Sequence, residues 1–296
     1  MRVLISGASG LVGTELRAQL KEAGHEPISL VRRPAFDDTE VEWHPELGFI
    51  TEGAMEDIDA VVNLAGATTG RLPWTKSYKK LLISSRLDST RTLVEAIRTA
   101  KKKPKVLISG SASGFYGDTG NESKSESAPK GTGFLSDLAA AWEQEALKAQ
   151  SLTRVVLIRT TLVMSRKLGA LGRLLPLVKL GVGGPLGPGK QWWAFISLRD
   201  EARAIIHLIN NTDASGAFNL TAPESATCAQ MVSALAKKLN RPAFLPVPSF
   251  ALRVAFGEGA DELLICNQQM TADRLLKSGF KFEHPTLESA VDYVLS

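Results

Sequence analysis

Arg2-Val-Leu-Ile-Ser-Gly7-Ala-Ser-Gly10-Leu-Val-Gly13 opens the chain and decides how the rest is read. Arg2 to Ser6 is a short apolar run that ends in glycine, the pattern of a parallel strand buried on both faces. From Leu11 to Ala23 apolar residues recur at helical spacing, and Gly24 supplies a stop. The three glycines between strand and helix have separate tasks. Gly7 permits the tight turn, Gly10 lets the backbone approach a pyrophosphate, and Gly13 lets the helix pack closely on the strand. The helix start offers unpaired N–H groups and partial positive charge to phosphates. Glycine spacing alone is weak evidence, but here it follows a strand, opens a helix and heads a βαβ unit. The plain alternative is an ordinary strand-to-helix turn. Gly7, Ser9, Gly10, Leu11, Val12 and Gly13 are the candidate phosphate-binding residues.

Working outward, Pro27 to Val31 reads as a second strand, ending in Val31-Arg32-Arg33-Pro34. A dinucleotide site for NAD places an acid about 20 residues past the glycines, on the ribose 2′-hydroxyl. Arg32 and Arg33 stand there instead, which suits the 2′-phosphate of NADP. The alternative is two solvated surface arginines. Asp37 and Asp38 follow a few residues later, within reach of a displaced loop. Ile58 to Ala65 is a third strand, and Asn63-Leu64-Ala65-Gly66 closes it. Small residues there let the backbone lie against adenine and ribose, or serve helix–sheet packing.

Further strands at Val106–Ser109 and Arg154–Arg159 alternate with long helices over about 76–100 and 134–149. This alternation predicts an α/β chain: an NAD(P)-binding Rossmann fold with a doubly wound parallel sheet and a smaller mixed, mostly helical lobe. The rhythm changes after about residue 165. Gly181 to Gly189 holds five glycines and two prolines in nine residues, a binding or lid loop. A helix over 199–211, a strand over 216–221 and a helix over about 225–240 follow, and the tail from Pro246 reads as mostly helical. The expected division is a Rossmann domain over 1–165, with 195–221 returning to it. A smaller C-terminal substrate lobe is expected from 166–194 and 222–296.

Composition narrows the function. Of 296 residues, 44% are apolar and 22% charged, as in a globular protein. The net charge of +4, from 35 basic and 31 acidic residues, is small and dispersed, so no nucleic-acid partner is expected. The basic run Lys101 to Lys105 reads as a solvated helix end. Cys228 and Cys266 fit neither metal-ligand spacing nor a disulfide framework, which suits a reducing cytosol and a cytoplasmic location. His25, His44, His207 and His284 are scattered, so no metal site is expected. The N-terminus enters a strand directly, without a signal segment, and no stretch approaches the ~18 uninterrupted apolar residues of a membrane helix.

Together these residues resemble the extended or atypical short-chain dehydrogenase/reductases, through Gly-x-x-Gly-x-x-Gly and Asn63-Leu-Ala-Gly66. More narrowly, the chain resembles their epimerase-family branch. Its members are described as nucleoside-diphosphate-sugar epimerases, some under the SulA-type label of cell-division inhibitors. Ser85-Arg86-Leu87-Asp88-Ser89-Thr90, Ser109 to Gly117, Phe134-Leu135, Trp142-Glu143, Gly183 to Gly189, Phe195 to Asp200 and Asn219 to Pro223 carry this likeness. The tail resembles that branch's small C-terminal domain of unassigned function, so the resemblance covers the whole chain. It implies NADP(H) as cofactor, with Arg32, Leu64, Ala65 and Arg86 in contact with it. Arg86 has a rationale of its own, since a cation near a nucleotide holds phosphates or ribose. It could equally pair with Asp88 or a nearby acid on the helix surface.

The larger family uses a Tyr-x-x-x-Lys pair on the helix after the fourth strand, with a Ser or Thr at that strand's end. The Tyr exchanges a proton with substrate, and the Lys lowers the Tyr pKa. Ser111 matches the Ser, as a donor to a substrate oxygen or as a loop cap. The pair itself is missing: Phe134-Leu-Ser-Asp-Leu138 stands in its place, with no Lys between Lys130 and Lys148. The same loss is typical of the narrower branch. Tyr116 is the obvious substitute acid–base, or a packing residue under its loop. Glu126 and Glu143 are further proton carriers if buried, the Trp142 ring standing next to Glu143 as a group that can desolvate it; the alternative is a solvated helix glutamate or a loop cap. Trp192 and Trp193 either cover the nicotinamide half of a cofactor or pack between lobes. The reading is an NADP-dependent epimerase or reductase of a small hydroxyl- or carbonyl-bearing substrate, such as a nucleotide sugar, working as monomer or homodimer. Its rival is a non-catalytic NADP(H) sensor.

Overall fold

The computed structural model describes residues 1–166, 169–181 and 183–296; residues 167, 168 and 182, in the first segment of the expected lobe, lie outside them. The opening run forms β1 (Arg2–Ser6) and α1 (Leu11–Glu22). Then come β2 (Glu26–Val31), β3 (Glu40–His44), β4 (Phe49–Ile50), β5 (Ala60–Asn63), α2 (Lys76–Thr99), β6 (Val106–Ala112), α3 (Phe134–Leu147) and β7 (Arg154–Thr160). The sheet they build, completed by β11 (Gly216–Leu220), runs β11-β7-β6-β5-β1-β2-β3-β4. Every pairing is parallel except β3 with β4. The chain leaves β1 for β2 on one side and returns to β5 on the other. That reversal opens a crevice outside the carboxyl ends of β1 and β5, where doubly wound sheets take ligands.

Both faces of the central strands are buried, which is why they read as apolar runs. Val3, Ile5, Val62 and Ile108 pack against Leu16 and Leu20 of α1 and Ile205 of α5 (Leu198–Asn210). Their alternates Leu4, Val61 and Leu107 pack against Leu93 and Ile97 of α2 and Ala146 of α3. Fully burying each such side chain contributes about 1.5–3 kcal/mol.

β3 and β4 have no counterpart in the sequence reading. Glu40-Val-Glu-Trp-His44 is mostly polar because it lies near the sheet edge, where only Trp43 is buried. β7, expected over Arg154–Arg159, continues through Thr160, and Thr161 leads into β8 (Leu162–Met164).

A second core gathers α4 (Gly169–Lys179), β9 (Trp192–Trp193), β10 (Phe195–Ser197), β12 (Ala226–Thr227), α6 (Cys228–Lys238) and, near the chain end, α10 (Leu287–Leu295). Phe195, Met231, Leu235, Val291 and Val294 fill it. Thr227 starts α6 with a capping box, its hydroxyl accepting from Gln230 N while the Gln230 side chain accepts from Thr227 N. Thr227→Ala removes that cap, so denaturant unfolding is expected to show a loss of about 1 kcal/mol.

The tail also holds α7 (Ser249–Phe256), the short α8 (Glu258–Ala260) and α9 (Asp273–Lys277). Between the last two an extended strap runs against β9. Gln268 N donates to Trp192 O at 2.8 Å, and Ala194 N donates to Gln268 O at 2.8 Å. At the start of α5, fully buried Asp200 accepts from Glu283 N and His284 N and pairs with Arg203. One carboxylate thus fixes the later tail to the sheet-side helix. Both cysteines are free and buried, and burial pushes Cys228 up to about 11 and Cys266 to about 12. No helix among the described residues is long and apolar enough to cross a membrane.

Candidate functional site

The turn after β1 is built as close packing requires. Gly7 has φ 69°, a left-handed conformation that favours glycine, and a Cβ there would lie 2.7 Å from Leu64 O. A Cβ on Gly13 would lie 2.2 Å from Gly7 O. Ser9 and Gly10 are exposed, and Leu11 and Val12 are half-buried at the start of α1. That helix has no side-chain cap and no acid in its first turn. Its opening N–H groups are thus left to an external anion.

Leu64, Ala65 and Gly66 follow β5 across the crevice and are held from beneath. Ser6 Oγ donates to Asn63 Oδ1 at 2.6 Å and accepts from Ala65 N, while Asn63 Nδ2 donates to Thr90 Oγ1. Trp142 Nε1 donates to the same Thr90 oxygen at 2.9 Å. This chain ties β1, β5, α2 and α3 together below the site. In the sequence Asn63 reads only as a small strand-closing residue; its pairing with Thr90 is set by the α2 packing.

Arg86 lies directly under Gly66, where an added Cβ would come within 3.1 Å of its guanidinium carbon. Nη1 donates to Leu82 O, and the guanidinium sits 5.2 Å from the Trp142 ring centroid. The ion pair with Asp88 does not form: Arg91 takes Asp88 at 3.1 Å. Arg86 has no acid partner among the described residues, and burial pushes it down to about 10. It therefore stays charged at neutral pH, a largely buried cation under the crevice backbone.

The two arginines after β2 part company. Arg33 donates twice to Glu40 of β3, at 2.6 and 2.7 Å, and its guanidinium lies 3.9 Å from the Phe36 ring centroid. Those bonds hold Glu40 down at about 2. Arg32 is exposed, with no partner among the described residues. Asp37 does not return to the β2 end, since it accepts from Thr39 N and Oγ1. The acid that comes back is Glu40, and it is spent on Arg33.

Around the β6 end, the proton-carrying candidates form one buried network. Ser111 Oγ donates to Glu143 Oε1 at 2.6 Å. Arg159 of β7 grips both Glu143 oxygens, at 2.8 and 2.9 Å, and donates to Tyr116 Oη at 2.7 Å. Tyr116 Oη donates to Asn219 Oδ1 at 2.8 Å. Glu126 Oε1 accepts from Asn219 N. Burial pushes the Tyr116 hydroxyl up, against the pull of Arg159. Trp142 turns toward Thr90 and Arg86, and it is Arg159 that sets the surroundings of Glu143. Tyr116 is 3% exposed and Ser111 5%, so both lie under the loop and are not open at its surface.

Phe134 opens α3 where the family's Tyr would begin. Its ring lies 5.5 Å from Trp74, and Glu262 from the tail accepts from Phe134 N and Leu135 N, both at 2.7 Å. The tail thus caps α3 at the crevice edge, a contact across 128 residues that no local pattern signals. Trp193 is buried in the second core with Nε1 donating to Leu264 O, so it packs inside the lobe; Trp192 is half-buried. The glycine-rich loop is close-packed on one side, where a Cβ on Gly184 would lie 1.9 Å from Leu245 O. Among the described residues no group of His, Cys, Asp or Glu is arranged to hold a metal.

Comparison with known proteins agrees with this geometry. Residues 3–221 match the model of the NAD dependent epimerase/dehydratase family, and residues 247–294 match a domain of unknown function, DUF1731. An epimerase family protein of Mycobacterium leprae is 40% identical over 292 residues, covering 98% of this chain and 94% of that one. Human epimerase family protein SDR39U1 (isoform 2), crystallised with NADPH, superposes with a TM-score of 0.93 at 31% identity, over 99% of both chains. A nucleoside-diphosphate sugar epimerase from Corynebacterium glutamicum superposes with a TM-score of 0.70 at 27% identity, over all of this chain and 65% of that one.

Proposed function

Because this chain belongs to the NAD dependent epimerase/dehydratase family, we propose that it binds NADP(H) in the crevice between β1 and β5. There it acts as an epimerase or oxidoreductase on a small hydroxyl- or carbonyl-bearing substrate such as a nucleotide sugar. The single observation that carries the cofactor reading is Arg86, a charged guanidinium under Gly66 with no acid partner among the described residues. The uncapped start of α1 and the free Arg32 fit the same ligand, pyrophosphate on the helix and 2′-phosphate on the arginine. A bound nicotinamide donates or accepts hydride, and the chain's own residues bind, orient and move protons around it. We read residues 1–165 with 195–221 as the cofactor domain and 166–194 with 222–296 as the substrate lobe. A separate family match over 247–294 fits a distinct C-terminal part, while the first match runs from 3 to 221 and includes 166–194.

A second reading, a non-catalytic NADP(H) sensor, is favoured by the buried Ser111–Glu143–Arg159–Tyr116 network, which gives both hydroxyls internal partners.

Trp-fluorescence titration with NADPH and NADH tests the cofactor reading. Wild type is expected to prefer NADPH at least tenfold, about 1.4 kcal/mol. Arg32→Ala is expected to erase that preference, and Arg86→Met to weaken both cofactors. Arg33→Ala is expected to do less than Arg32→Ala, because its fork is held by Glu40. Equal affinities, unmoved by Arg32→Ala and Arg86→Met, would overturn the assignment.

A further inference from the structure

Thr160 ends β7 beside Ala112, its register partner at the end of β6. Both stand at the carboxyl-end rim of the sheet, where ligands of this architecture lie. Thr160 is half-buried, and its hydroxyl is 2.7 Å from Oε1 of Glu201 in the first turn of α5. Glu201 is 1% exposed, and its other oxygen, Oε2, is buried with no hydrogen-bond partner among the described residues.

Such surroundings penalise a carboxylate and tolerate a neutral acid. Burial pushes Glu201 up to about 8, with Thr160 pulling the other way. Among the described residues no charge contributes. Asp200 and Arg203 on the same helix pair with each other, and Glu283 takes Arg199 and Arg203. His284 bonds Ser197, Glu15 of α1 accepts from Gln19, and Arg17 of α1 adds nothing at Glu201. On β7, Arg154 is bound to helix-end carbonyls and Arg159 to Glu143. β6, β8 and β10 bring no titratable side chain. Glu201 therefore holds a proton at neutral pH. A hydroxyl donates and accepts at once, so Thr160 can take a bond from that proton and aim its own at the rim.

The usual donors are engaged elsewhere. Tyr116 is tied to Asn219 and Arg159, Ser111 to Glu143, and Phe134 has no proton to give. We infer that Glu201, acting through Thr160, is the proton reservoir for a substrate oxygen at this rim, with Thr160 the touching group and Glu201 the positioning residue behind it.

The inference rests on the NADP(H) reading above. The balance is closed. As a carbonyl carbon takes hydride from a dihydronicotinamide, its oxygen takes the Thr160 proton. Thr160 regains one from Glu201, and Glu201 is left as carboxylate until water returns a proton. Oxidation of an alcohol runs the same path backwards.

The test is proton release on cofactor binding, measured by titration calorimetry at pH 7.5 in buffers of different ionisation heat, with NADP⁺ and with NADPH. The oxidised ring is positively charged and favours a carboxylate nearby; the reduced ring is not. NADP⁺ is expected to release about half a proton more than NADPH, by the linkage of a lowered pKa to proton loss. Glu201→Gln is expected to abolish that difference while still binding both.

Infrared difference spectroscopy reads the same proton directly. A protonated-carboxyl band is expected with NADPH and should shrink with NADP⁺, and Thr160→Val is expected to move it to higher frequency. Binding of both forms with equal proton release, or a difference that survives in Glu201→Gln, overturns the inference. Failure to bind either form overturns the cofactor reading and this inference with it.

Discussion

Gly13→Ala is expected to cost the protein both stability and cofactor. The added methyl would sit 2.2 Å from Gly7 O and 2.8 Å from Ala8 Cα. Both obstacles are backbone, so no side-chain rotation relieves them. Either α1 moves off β1 or the turn re-forms. Overpacking of this kind costs about 1–3 kcal/mol, and more where the backbone itself must shift. The same movement takes the α1 N–H groups away from any bound phosphate. A lower thermal midpoint is expected, together with NADPH binding at least tenfold weaker, about 1.4 kcal/mol. Gly13→Ala with unchanged midpoint and affinity would show that the close approach of α1 to β1 is not needed.

Glu143→Ala should be the most destabilising change near the β6 end. The Arg159–Glu143 pair is almost fully buried, with side-chain exposures of 5% and 7%. Removing the carboxylate strands the Arg159 charge and takes the acceptor from Ser111. Breaking such a pair costs about 3–5 kcal/mol, since the remaining ion keeps its desolvation penalty. For a chain of this size that corresponds to a fall in melting midpoint on the order of 10 °C. The double change Glu143→Ala/Arg159→Met is expected to be less damaging than Glu143→Ala alone, because it removes the stranded charge. Calorimetric unfolding of the three proteins decides it. A single variant within about 0.5 kcal/mol of wild type, as for an ordinary surface change, would mean that the pair contributes nothing.

The parts of this molecule legible in the sequence are those whose signals are local. β1, the glycine turn and α1 lie within twenty-two residues, and strand, turn and helix chemistry agree there. What escaped depends on contacts between distant segments. Arg33 is spoken for because β3 brings Glu40 alongside β2, and Glu40-Val-Glu-Trp-His44 hardly reads as a strand. Arg86 has no acid partner among the described residues, Asp88 being taken by Arg91.

Tyr116 and Ser111 carry the right groups for proton transfer, but only the fold shows that Arg159, Glu143 and Asn219 already hold them. Glu201 is the reverse case. Arg199-Asp-Glu-Ala-Arg203 opens the expected helix with four charged residues, yet the packing of α5 leaves its glutamate only 1% exposed. Glu201 stands at helical spacing from Ile205 and Leu208, both fully buried, and that spacing is the signal in the sequence that turns it inward.

NADP(H) in the crevice between β1 and β5 would shield the backbone on both of its sides. Amide hydrogen exchange with and without saturating NADPH tests it at the site itself. Slowed exchange is expected at residues 9–14, on the turn and the start of α1, and at 64–67 beyond β5, with the α6 amides unchanged. NADPH that leaves both segments exchanging as before, or protects only the C-terminal lobe, would contradict it.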